Sequence, residues 1–78
     1  MPIIVVQHTT RFSSHGGFYE ARVLQNGREL SSDVTIGAVL TNSLSTHTIA
    51  SHTQSSATSG QGIVIISETY VLIPRTPR

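Results

Sequence analysis

The chain has 78 residues, a formal net charge of +1, no cysteine and no lysine. A chain this short holds one domain and buries only about 60–65% of its unfolded surface, so a lone copy is marginal. Without cysteine it has neither disulfides nor thiolate metal sites as staples, and oligomerisation is the common remaining route to stability. The cations are Arg11, Arg22, Arg28, Arg75 and Arg78, and no Asp, Glu, Lys or Arg lies between Asp33 and Glu68. Such a balance gives no clustered basic footprint for nucleic acid. The opening Met1 to Val6 lacks a basic leader region, and no apolar run approaches the roughly 20 residues of a membrane span. A single soluble, cytoplasmic domain over 1–78 is expected.

Ile3 to about Thr10 reads as the first strand, rich in β-branched residues that suit a pleated backbone. Ile3 and Val5 point one way and Ile4 and Val6 the other, which predicts cover on both faces, by a helix and by another subunit. Ser13-Ser14-His15-Gly16-Gly17 is a turn cluster. Phe18 to Gln25 reads as the second strand, with Tyr19, Ala21 and Val23 on one face and Phe18, Glu20, Arg22 and Leu24 on the other. Asn26-Gly27 is the strongest two-residue hairpin signal, because a type I′ turn needs positive φ at both central positions. It pairs Gln25 with Arg28 and sets Val23 beside Leu30 on the core face of a short third strand, Arg28 to about Ser32.

Thr35 is the predicted N-cap, with Ser32 and Asp33 as alternatives. Ile36, Val39, Leu40 and Leu44 form one apolar helical stripe. Gly37, Thr41, Asn42, Ser43, Ser45 and Thr46 make that helix intrinsically weak, so it is expected to fade between His47 and His52. Residues 41–60 hold eleven Ser or Thr. Gln54 to Gly62 reads as a long loop, while an alternative places Leu44 to Ser51 in an added strand. Ile63 to Ile73 is the last strand, stopped by Pro74, with Ser67-Glu68-Thr69 as a possible bulge. A strand apolar on both faces is internal or at an interface, so this one is expected to pair within a homodimer or larger assembly. The fold expected is α+β: an antiparallel three-stranded sheet, one helix and a long C-terminal strand, β-β-β-α-β.

Two blocks, Gly16-Gly17-Phe18-Tyr19-Glu20-Ala21-Arg22-Val23 and Asp33-Val34-Thr35-Ile36-Gly37-Ala38-Val39-Leu40-Thr41-Asn42-Ser43-Leu44, resemble the HicB-like antitoxin domain, a truncated ribonuclease-H-like fold. In that family an aromatic-x-Ala-x-Val strand leads to a Thr-capped helix with an Ala-Leu-x-Asn core. The usual Pro-x-x-Pro-Gly stretch is replaced by Leu24-Gln25-Asn26-Gly27, and Gly37 and Ala38 stand where the first helical turn is usually acidic. The resemblance implies a domain that binds and masks a small RNA-cleaving toxin. It covers no C-terminal DNA-binding segment, so autoregulation of an operon is not implied.

Four histidines, His8, His15, His47 and His52, could ligate metal or act as bases. On a helix His47 and His52 are separated by about 140°, a poor shared-ligand spacing, and no acid lies nearby in sequence to orient them. Ser14-His15 and Ser51-His52 are neighbours whose side chains diverge, and no Gly-x-Ser-x-Gly elbow is present. No metal, cofactor or enzymatic activity is therefore expected. The expected function is non-enzymatic protein binding through Phe18, Glu20, Arg22, Leu24 and His15, by strand addition. The alternative is an oligomer that binds nucleic acid through converged Arg11, Arg22, Arg28 and Arg75.

Overall fold

The β-branched opening of the chain forms β1 (Ile4–Ser13), which returns through a glycine turn into β2 (Tyr19–Gln25). The computed structural model describes residues 1–76. Asn26 and Gly27 take φ of 51° and 81°, as a type I′ hairpin demands. The turn is also docked on β1. The Asn26 N–H donates to the Val5 carbonyl, and the Val5 N–H donates to Asn26 Oδ1, each at 2.8 Å.

The strand that follows, β3 (Arg28–Glu29), is shorter than its sequence predicts. The Leu30 N–H still donates to the Val23 carbonyl, setting these two on the core face as expected. Then the chain turns away: Ser31 Oγ donates to Asp33 Oδ1 at 2.6 Å and the Val34 N–H to the Ser31 carbonyl at 3.0 Å. Helix α1 (Ile36–Ser43) starts at Thr35, whose Oγ1 accepts from the Ala38 N–H at 3.1 Å. Val39 is its buried anchor, with Ile36 and Leu40 packed beside it, and Leu44 caps the C-terminus.

The helix does not fade through His47–His52, and Gln54 to Gly62 is not a long loop. The chain instead forms an edge strand, β4 (His47–Thr58), which begins three residues later than the added-strand alternative and runs seven residues further. Ser and Thr residues that support a helix poorly are at home in a ladder, and β5 (Ile63–Pro74) offers one along its whole length. The result is five antiparallel strands in the order β3-β2-β1-β5-β4, one strand more than β-β-β-α-β. β5 lies inside this sheet, bonded to β1 on one side and β4 on the other. Its apolar two-sidedness reflects that internal place, and its backbone is not free to pair with another copy. No bulge occurs at Ser67-Glu68-Thr69; the one irregularity falls between Ile49 and Ser51 in β4.

Residues directly opposite in an antiparallel ladder share a face. Val6, Val23, Leu72 and Val39 form the buried core, where α1 lies on one end of one sheet face. Ile4, Leu30, Val34 and Tyr70 close around it. The opposite face has no covering layer, and neither has the far end, where Tyr19 and Ile66 stand exposed. The molecule measures 52 × 23 × 17 Å with a radius of gyration of 14.5 Å. A compact chain of this length would have about 11.5 Å.

So small a core makes each member matter. Leu72→Ala is expected to cost about 2–5 kcal/mol and to abolish a cooperative urea transition. Ile66→Ala, at the bare end, is expected to shift the midpoint little.

Candidate functional site

Register, not sequence proximity, assembles the main polar cluster. His8 of β1 stands opposite Glu68 of β5, and Gln54 of β4 stands opposite the same residue from the other side. His52 pairs with Tyr70, and their rings stack with centroids 3.9 Å apart and planes 8° from parallel. All four side chains donate to one carboxylate. His8 Nδ1–H reaches Glu68 Oε1 at 3.1 Å, while Oε2 accepts from His52 Nε2 at 3.0 Å, Gln54 Nε2 at 3.3 Å and the Tyr70 hydroxyl at 3.3 Å.

Hydrogen bonds from His8 and then His52 outweigh the desolvation of Glu68 and hold its carboxyl at about 2. Burial, reinforced by the Glu68 charge, pushes the Tyr70 phenol up. The cluster ties β1, β5 and β4 together just beyond the apolar core, which Tyr70 joins. The acid that orients His52 is not its neighbour in sequence, because Glu68 is 16 residues away along the chain. A lone acid inside an apolar strand was the available signal; without the strand order it had no partner.

The other histidines are placed apart. His47 is buried: its Nε2–H donates to the Pro2 carbonyl at 2.8 Å, and Nδ1 lies 2.7 Å from the Thr46 hydroxyl. His15 sits at the far tip, where the Ser14 N–H donates to the Gly62 carbonyl at 2.8 Å. A Cβ on Gly62 would stand 2.8 Å from Ser14 Oγ, so a larger residue there would have to displace the Ser14 and His15 side chains and hold a strained φ of 81°. Ser51 and His52 point to opposite faces, as their neighbouring partners Val71 and Tyr70 require. Among the described residues no group of three or more histidines and acids is arranged to hold a metal ion, and no pocket indents the surface.

Glu20, Arg22 and Leu24 lie on the sheet face away from α1, with Arg11 beside them. Arg11 bonds Glu20 at 3.3 Å, Arg22 bonds Glu20 at 3.5 Å, and Arg22 approaches Glu29 at 3.9 Å. The Arg11 guanidinium also lies 5.7 Å from the centre of the exposed Phe18 ring. This charge ladder borders an open edge, since β3 covers β2 only at Leu24 and Gln25.

Within one copy, Arg11 and Arg22 share the Glu20 cluster, while the other two described arginines lie elsewhere. Arg28 sits at the hairpin, remote in the sheet from Arg75, which holds the turn after α1. Its Nη2 donates to the Leu44 carbonyl at 2.6 Å and its Nε to that of His47 at 3.3 Å. Arg78, the other half of the basic tail, lies outside the described residues. No described helix is long and apolar enough to cross a membrane. No protein-family model, curated protein sequence or solved structure matches the chain.

The depressed Glu68 carboxyl has a signed consequence for stability. The unfolded chain takes up this proton at higher pH than the folded one, so the stabilisation is whole above about pH 4.5 and is lost as pH falls towards 2. With screening by the adjacent solvent it amounts to on the order of 1–2 kcal/mol. Glu68→Gln is expected to lower the melting temperature at pH 7 and to flatten its fall between pH 5 and about 2, read by circular dichroism.

Proposed function

We propose that the chain is a non-enzymatic, cytoplasmic protein-binding module, and that it works through the open edge of β2 and the charged face beside it. The observation that supports this is the ladder Arg11–Glu20–Arg22–Glu29, laid beside exposed Phe18 and an uncovered stretch of β2. An extended partner segment added there would gain main-chain hydrogen bonds at Tyr19 and Ala21, the residues whose N–H and C=O groups turn away from β1. It would read the alternating charges with alternate side chains. Leu24 and the His15 tip bound the surface at its two ends. The arginines are dispersed and matched by acids, which favours a protein partner over a polyanion.

The more specific reading, that the partner is a small RNA-cleaving toxin, is carried by the HicB-like pattern of residues 16–44. Its test is co-expression with the product of the adjacent gene. That product alone is expected to arrest growth, and this chain is expected to relieve the arrest and co-purify with it. Glu20→Arg with Arg22→Glu should lose both effects while remaining folded. A neighbour that is harmless, or relief that survives the charge reversal, would count against the reading.

A further inference from the structure

We infer that two copies of this chain join edge to edge through β4, antiparallel, forming one continuous ten-stranded sheet. This assembly uses a different surface from the partner site on β2 and does not rest on it.

The two edges of the sheet differ in kind. Natural proteins blunt an open edge with charge, proline, bulges or brevity, because unpaired N–H and C=O groups template association. The β2 edge is short, partly covered by β3, and carries Glu20 and Arg22. The β4 edge runs from His47 to Thr58, 12 residues without a charged residue or a proline, or about 40 Å of strand. Its bulge, between Ile49 and Ser51, leaves Ser51 to Thr58 regular. His52 and Gln54 are clamped to Glu68, so the middle of this edge is already ordered.

Backbone parity identifies the free groups. The Ser59 N–H donates to the Ile63 carbonyl across the tip of the β4–β5 hairpin. Counting back in the alternation of an antiparallel ladder, odd-numbered residues bond β5. His52, Gln54, Ser56 and Thr58 turn their N–H and C=O outward.

A second copy is the occupant that fits. Antiparallel pairing of identical edges needs a two-fold axis normal to the sheet, which places both helices on the same side. With the axis at Gln54, Thr53 faces Ser55, His52 faces Ser56 and Ser51 faces Ala57 of the other copy. Hydroxyl pairs of this kind stabilise a ladder, and no like charges meet. Joining β4 to the charged β2 edge instead would propagate a filament, whereas the β4–β4 contact is isologous and closes at two. Assembly also suits a chain with only four buried apolar side chains among the described residues, Val6, Val23, Val39 and Leu72.

Sedimentation and amide hydrogen exchange test this on the wild-type chain. The expected mass is that of two 8.4 kDa chains. The amides of His52, Gln54 and Ser56 should be protected at high concentration and lose that protection on dilution. Thr53→Lys with Ser55→Lys should sediment as a folded monomer, and so should Thr53→Glu with Ser55→Glu. Mixing the two should restore a dimer. A wild-type monomer at all concentrations would overturn the inference. So would outward amides that exchange as fast as Gly60, or a dimer indifferent to these substitutions.

Discussion

One carboxylate determines how the sheet is held where the core gives out. α1 has eight residues and spans about 12 Å, whereas the ten-residue ladder of β1 on β5 runs about 34 Å. The helix can therefore cover only one end of one face. At the boundary stands Glu68, a charge whose burial would be unfavourable without partners. It accepts from His8, His52, Gln54 and Tyr70, which come from all three strands that meet there. The apolar core of Val6, Val23, Val39 and Leu72 is thus continued by a polar clamp, and the bare half of the sheet is anchored to it.

Local chemistry made the first half of the molecule readable. Asn26-Gly27 has one favoured geometry, Thr35 has one set of amides to cap, and the stripe of Ile36, Val39 and Leu40 can bury only one way. The same local logic misplaced His47 to Thr58. Those residues are poor helix formers and plausible loop residues, and only the ladder supplied by β5 makes them a strand. That contact spans up to 27 positions, from His47 to Pro74, and no propensity encodes it. The clamp was hidden for the same reason, since Glu68 meets His8 across 60 residues. Glu20, Arg22 and Leu24, singled out on β2, do share a face, while Arg75, beyond the end of β5, has a structural task in holding the turn after α1.

The charges are sorted between the two edges of the sheet. The β2 side carries Arg11, Glu20, Arg22 and Glu29 in mutual contact, charges of the kind that resist non-specific strand pairing. The β4 side carries only neutral residues and is compatible with itself. The compositional gap between Asp33 and Glu68 thus falls on the helix, the edge strand, the turn after it and the first five residues of β5.

The most direct measurement on this account is the titration of the Glu68 side-chain carboxyl carbon, followed by nuclear magnetic resonance in the folded chain. Four donors converging on it predict an apparent pKa of about 2. A carboxyl that titrates at its ordinary value near 4.5 would contradict the clamp and with it the account of how the sheet is held.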